Sequence, residues 1–351
     1  MRDAKDPATV QVIAPNFKRR LSGVTSTVFR LVPFQARDLN VVVAGPVVPE
    51  GIPQIRLRDL VLMPRHGPDG PRVWHARRNV EMLGGLALRA LGKDLRLLFT
   101  SASQRRHTGF TKWLIRRMDE VVSTSARTAA YLERPSVVVH HGIDTATFQP
   151  PADRAALRSE LGMPEGPIVG CFGRIRAQKG TDLFVDAMIG VLSERPDGGA
   201  ILLGRATSEH RSFQQGLETR IAAAGLSDRI RFLGEVPVGD MARWYQALDL
   251  FVAPQRWEGF GVTPIEAMAC GVPVIATRVG AFEDQVADGV TGRLIPADDL
   301  PAMAQAIRDA LSDRPRLARW GEAARAHVLG RFRIEDEAAA LNALYRDLLR
   351  R

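Results

Sequence analysis

Two glutamates eight positions apart frame the stretch Glu258-Gly259-Phe260-Gly261-Val262-Thr263-Pro264-Ile265-Glu266 in this 351-residue chain. The run before it, Asp249-Leu250-Phe251-Val252-Ala253-Pro254, reads as a buried strand, and Thr263 with Pro264 opens a helix as cap and first-turn proline. A glycine loop between strand and helix lets a ligand approach the backbone and turns N–H groups, with the positive end of the helix dipole, toward a phosphate. Carboxylates gain nothing from a phosphate, so Glu258 and Glu266 are fitted to neutral donors, of which sugar hydroxyls are the obvious ones. The stretch therefore describes a sugar-phosphate site, with Gly259, Phe260, Gly261, Val262 and Thr263 supplying the backbone. A solvated surface loop would explain the two acids alone, but a second unit of the same kind stands upstream. There the apolar run 167–172 leads into Gly173-Arg174, then Lys179-Gly180, then a helix from Thr181. Two cations on a glycine turn beside a helix N-terminus supply the charge that a diphosphate needs.

The first half holds a different set. Gln104, Arg105, Arg106 and His107 follow a strand at 95–100, and His75, Arg77 and Arg78 stand at the end of a strand at 73–75. Guanidinium groups read carboxylates and phosphates in a bidentate way, so an anionic acceptor is expected here. His107 adds a titratable imidazole.

These residues need elements to position them. Strands at 10–14, 41–44, 73–75, 95–100, 120–124 and 136–140 alternate with helices, which predicts a parallel sheet. A polar, proline-marked stretch at 149–167 with a short helix at 154–161 reads as a hinge, after which strands near Ile168, Ala200, Ile230, Leu250 and Val274 repeat the logic. Every chemical motif falls at the carboxyl end of a strand, where open α/β sheets bind ligands. Helices at 300–311 and 334–351 close the chain without evident chemistry.

Composition sets the bounds. Hydrophobic residues make up 45% of the chain, enough at this length for two ordinary cores. Cys171 and Cys270 sit in apolar segments and read as small hydrophobes in a reducing compartment. Neither a signal-type stretch nor a run long enough to cross a membrane is evident. The charge is uneven: residues 1–150 carry 23 Lys+Arg against 12 Asp+Glu (+11), the remainder 25 against 27 (−2), which sums to the overall +9. A basic half attracts nucleic acid, an anionic membrane surface or an acidic substrate. Paired glutamates in a glycine loop argue against nucleic acid. The stretch 108–118 reads as a helix with Phe110, Trp113, Leu114 and Met118 on one side and Lys112, Arg116 and Arg117 on another, suited to a lipid headgroup layer.

As a set, Ser22-Gly23-Val24, His141-Gly142-Ile143-Asp144 with Phe148 and Pro150, Gly173-Arg174 with Lys179-Gly180, the 258–266 stretch and Gly271-Val272-Pro273-Val274-Ile275-Ala276-Thr277 resemble the retaining glycosyltransferases of family 4. The runs 14–24, 73–79 and 99–107 look like the lipopolysaccharide core mannosyltransferases within it. His141-Gly142 stands where the family usually has Asn-Gly. The resemblance implies a GT-B fold of two Rossmann-like parallel-sheet domains facing each other across a cleft: 1–148 for the acceptor, 149–333 for the nucleotide sugar, and a last helix, 334–351, returning to the first. It implies catalytic roles for Glu258, His107, Arg174 and Lys179, with Gly23 joining the donor site. Glu258 then grips the transferred sugar and Glu266 the nucleotide ribose. His75, Arg77, Arg78, Gln104, Arg105 and Arg106 face the acceptor. The expected donor is GDP-mannose and the acceptor an anionic, lipid-linked saccharide, the Kdo of a lipid A precursor. No metal or cofactor is expected, since no Asp-x-Asp pair ends a strand. The expected location is cytoplasmic, peripheral on the inner face of the plasma membrane. A UDP-sugar-dependent transferase and a sugar-nucleotide epimerase are the alternatives.

Overall fold

The computed structural model describes residues 5–19 and 23–351. Ser22, with Arg20 and Leu21, lies outside them. The chain divides into two compact units, residues 1–142 with 334–351, and residues 143–333.

The first unit is built on a fully parallel sheet of β1 (Val12–Pro15), β2 (Val41–Ala44), β3 (Gln54–Ile55), β4 (Arg72–Ala76), β5 (Leu95–Ser101), β6 (Glu120–Ser123) and β7 (Val137–Val138). Its order is β3-β2-β1-β4-β5-β6-β7. Strand order reverses between β1 and β4, where Val12 pairs with Val73 and Ile13 with Trp74. The sequence expectation missed β3, whose two residues carry no periodicity, and overextended β7, which stops after Val138. One face of the sheet is covered by the helices Gly23–Gln35 and Ile334–Arg350, which bury Val28, Leu31, Val32, Leu341, Tyr345 and Leu348. A helix contributed from the far end of the sequence thus completes the core of this unit.

The second unit repeats the plan with β8 (Ile168–Phe172), β9 (Gly199–Leu203), β10 (Ile230–Gly234), β11 (Leu250–Ala253), β12 (Val274–Thr277) and β13 (Gly292–Ile295). The order is β10-β9-β8-β11-β12-β13, again all parallel. Here the reversal falls between β8 and β11, with Leu250 opposite Val169 and Phe251 opposite Gly170. Strands buried on both faces read as the continuous apolar runs the sequence shows. The longest helix of this unit, Arg314–Arg331, was not anticipated, because its apolar residues form no continuous stripe.

The boundary after the first sheet falls at Gly142 rather than Phe148. The reason is local: the Ile143 N–H donates to the Phe332 carbonyl at 2.8 Å, and Arg325 donates to the carbonyls of Thr145 (3.1 Å) and Phe148 (2.7 Å). Both cysteines are buried and unpaired, and burial pushes the Cys171 thiol up to about 12. Among the described residues no helix is long and apolar enough to cross a membrane.

Candidate functional site

Because β8 and β11 are sheet neighbours at the order reversal, the two loops that leave them lie side by side at the carboxyl edge, where ligands of such sheets bind. The β8 loop ends in Gly180, whose φ of +68° sets the turn into the helix Thr181–Ser193. A side chain at Gly180 would stand 1.8 Å from the Pro254 carbonyl oxygen, so only glycine lets the loops touch. Across this contact the Lys179 ammonium donates to Glu258 Oε2, while Glu258 Oε1 accepts the Gly259 N–H at 3.0 Å. Arg174 and Lys179 line one small cavity with Gly173, Thr181 and Gln255.

The glycine loop itself is held from beneath. Buried Gln285 donates from one amide nitrogen to the carbonyls of Phe260 (3.0 Å) and Gly261 (2.9 Å). Gly261 has φ +71°, and a Cβ there would meet Phe282 at 2.6 Å and Glu258 at 2.7 Å, so the Glu258 side chain occupies the space that the missing Cβ leaves. Thr263 does not cap the following helix. Val262 occupies the cap position with no side-chain bond, and Thr263 is the first helical residue, with Pro264 in the first turn as expected. Glu266 is 3% exposed, and its Oε2 accepts from the Tyr245 hydroxyl at 2.7 Å. Tyr245 in turn packs its ring on Phe172 at 4.7 Å and on Phe251 at 5.5 Å. Its role could not be seen in the sequence, since only the fold brings it under Glu266.

In the first unit the expected acceptor residues separate into two groups. His75 lies inside β4, fully buried, with Nδ1 2.6 Å from the Tyr345 hydroxyl and Nε2 2.6 Å from the Thr100 hydroxyl. Burial, helped by the Arg77 charge, pushes its pKa well below the usual histidine value. Nδ1 thus pins the last helix to the sheet while Nε2 joins β4 to β5, both ring nitrogens are engaged, and the acceptor role expected for His75 is corrected. Arg78 is likewise a brace: it donates to Asn16 Oδ1 (2.9 Å), the Thr25 hydroxyl (2.9 Å) and the buried carboxylate of Glu81 (2.5 Å), spanning the β1/β4 reversal. Gln104 is buried as well.

Arg77, Arg105 and His107 share an open pocket of about 360 Å³ with Lys18, Asn79 and Ser103, and the braced Arg78 lines it as well. Burial lowers the His107 pKa, and the charges of Arg105 and Lys112 lower it further, so its imidazole is held neutral, and its buried Nε2 has no protein partner. Arg106 is exposed but does not line this pocket. Lys18 escaped the sequence reading of the acceptor side because only the strand order brings the β1 loop beside β4. Gly23 is the exposed first residue of the helix Gly23–Gln35 in this unit.

The amphipathic stretch also divides differently from expectation. The helix runs Gly109–Ile115 with Thr108 as its cap, and Leu114, Ile115 and Met118 enter the core. Phe110 (52% exposed) and Trp113 (40% exposed) face outward, stacked 6.1 Å apart, with the Arg117 guanidinium 3.8 Å over the Trp113 ring. The apolar residues thus belong to two faces, one structural and one free.

His141, standing where asparagine was expected, places Nδ1 2.8 Å from Glu337, whose other oxygen accepts the Gly142 N–H at 2.8 Å. This fork ties the end of the first sheet domain to the last helix.

Two all-parallel units, the second with Lys179 meeting Glu258 at its strand-order reversal and Arg174 in the same cavity as Lys179, define the GT-B class. A solved Anabaena structure, Alr3699/HepE in complex with UDP and glucose, has this fold: TM-score 0.83, 20% identity, covering 96% of this chain and 100% of that one. The family model of glycosyl transferases group 1 matches residues 153–327. Over its whole length the chain is 56% identical to the lipopolysaccharide core biosynthesis mannosyltransferase LpsB of Rhizobium meliloti (strain 1021), with 100% of both chains covered. It is 48% identical to the lipopolysaccharide core biosynthesis mannosyltransferase LpcC of Rhizobium leguminosarum bv. viciae, over 99% of each. The chain belongs to the group 1 glycosyltransferases and is a glycosyltransferase enzyme.

Proposed function

We propose that this enzyme transfers mannose from GDP-mannose, with retention, to an anionic lipid-linked saccharide of the lipopolysaccharide core, the Kdo of a lipid A precursor. The single observation that carries the donor half is the meeting of Lys179 and Glu258 across the β8 and β11 loops. Full-length identity to two core mannosyltransferases supports the choice of sugar and pathway.

Departure of a nucleoside diphosphate leaves positive charge at the anomeric carbon and negative charge on the leaving phosphate, and fixed opposite charges aimed at the latter lower the barrier. Arg174 and Lys179 supply that charge. Lys179 exchanges its partner when donor binds: its ammonium turns to the diphosphate, and Glu258, released from the ion pair, accepts from hydroxyls of the mannose. Glu266, already held in one orientation by Tyr245, accepts from the ribose. His107, kept neutral, is able to accept a hydrogen bond or a proton from a hydroxyl in the acceptor pocket, where Arg77 and Arg105 hold the acid group of the acceptor. No metal is assigned a role in this scheme, so chelation by EDTA leaves transfer unchanged. The enzyme works at the cytoplasmic face of the inner membrane, touching lipid through the basic first half and the Phe110–Trp113 pair.

The test is transfer to a Kdo-bearing lipid A precursor with GDP-mannose and UDP-glucose assayed in parallel. Faster turnover of the UDP sugar overturns the donor assignment, and isomerised donor in a reaction without acceptor overturns transfer in favour of epimerisation.

A further inference from the structure

Between the two glutamates and the lysine stands a residue that the reaction scheme does not use. Arg256 leaves the β11 loop two positions before Glu258 and reaches into the β8 loop. Its backbone N–H donates to the Gln178 carbonyl at 3.1 Å, and its Nη1 donates to the Ala177 carbonyl. The same guanidinium grips Asp182, in the first turn of the helix Thr181–Ser193, through Nη1 at 2.7 Å and Nη2 at 3.0 Å. Its Nε donates to Asp298 at 2.6 Å. Asp298, in the loop after β13, has φ +60°, the one non-glycine residue with positive φ among those described, a backbone state that costs energy unless something holds it. Ala177, Gln178 and Asp182 bracket Lys179 on both sides. The side chain is about one quarter exposed and its charge is stabilised by its acid partners, Asp182 first.

We propose that Arg256 is the positioning residue of the donor site: it fixes the β8 turn against the β11 loop so that Lys179 and Glu258 face the same ligand. It touches neither donor nor acceptor and acts through Lys179. A planar fork suits this task, because its donors in one plane reach a loop carbonyl and two carboxylates at once, which a lysine ammonium cannot. Asp298 is the outer anchor of the same clamp, and its strained backbone is held by the bond to Nε.

The inference rests on the proposed role of Lys179 at the donor diphosphate, and a double-mutant cycle separates the two. Four full-length proteins are compared, wild type, Arg256→Ala, Lys179→Ala and the double variant, by GDP binding and by GDP-mannose transfer kinetics, with melting temperature recorded for each. Arg256→Ala is expected to raise the donor KM and lower kcat/KM by roughly tenfold to a hundredfold, as displaced binding groups do. In the Lys179→Ala background the same change is expected to have little further effect, since its route to the ligand is already gone. Arg256→Lys keeps the charge and loses the fork, so it is expected to restore less than half of the lost GDP affinity. Additive losses in the double variant, or a lower melting temperature with unchanged donor KM, overturn the proposal. If Lys179→Ala itself leaves GDP binding intact, the donor reading fails first.

Discussion

The two units use one plan and one kind of location, a strand-order reversal, yet treat their charged residues in opposite ways. At β8/β11 Arg174, Lys179 and Glu258 stand on loops beyond the strand ends, where Lys179 meets Glu258 and shares a cavity with Arg174, while Glu266 stands on the helix that follows. At β1/β4 half of the expected residues are consumed by the fold itself. His75 sits within the strand and fastens the last helix, and Arg78 knits β1, β4 and their following segments. A side chain inside a strand of a doubly covered sheet has nowhere to point but the core, whereas past the strand end its role depends on the partners within reach: Arg78, two residues beyond β4, is taken up by Asn16, Thr25 and Glu81. Residue type does not separate brace from binding group; the partners that the fold brings within reach do.

That contrast can be broken most forcefully at Glu258. Its replacement by alanine is expected to lower kcat/KM for transfer roughly a hundredfold, about 3 kcal/mol, with the melting temperature little changed; near-normal turnover with GDP-mannose removes Glu258 from the site. In the first unit Arg78→Ala is expected to act on folding, because it strands the buried Glu81 carboxylate, at a cost of about 3 kcal/mol in urea unfolding. Arg105→Ala, from the open pocket, is expected to change stability by less than about 0.5 kcal/mol while raising the acceptor KM. Should both arginines behave alike, the division between brace and binding group is wrong.

His75 gives a test in pH. Folded, it is held neutral with its pKa well below 6.5, while the unfolded chain protonates it in the ordinary way. As pH falls below that ordinary value the unfolded state takes up a proton that the folded state refuses. Its contribution to stability is therefore complete above pH 6.5 and is lost progressively beneath it. His75→Gln is expected to flatten the fall of the urea midpoint between about pH 7 and pH 5; a slope identical to wild type shows that His75 does not titrate in this way.

The smallest effect belongs to the exposed aromatics. Phe110→Ser with Trp113→Ser is expected to leave solution kinetics and folding unchanged and to reduce sedimentation with vesicles containing anionic phospholipid, more so at high salt, where the basic residues no longer compensate. Equal sedimentation at both salt concentrations argues that this pair is surface covering only.

Local sequence carried much of this protein. Apolar runs marked the strands, and glycines such as Gly173, Gly204 and Gly234 marked some of the turns after them, since a doubly buried strand admits little else and a backbone with positive φ favours glycine. The residues of the donor loops, 173–180 and 258–266, were legible for the same reason, being short contiguous units whose chemistry lies in neighbouring positions. What local sequence could not state is which loops are neighbours. Strand order alone sets the β8 loop against the β11 loop some eighty positions later, Tyr245 beneath Glu266, Lys18 beside Arg77, and Arg256 across the Lys179 turn. It also sends Tyr345 and Glu337 back to the first unit, where they occupy His75 and His141. Hydrogen bonds and ion pairs are short-ranged, so a side chain's role depends on which partner comes within about 3 Å, and for residues far apart in the chain only the packed sheets decide that.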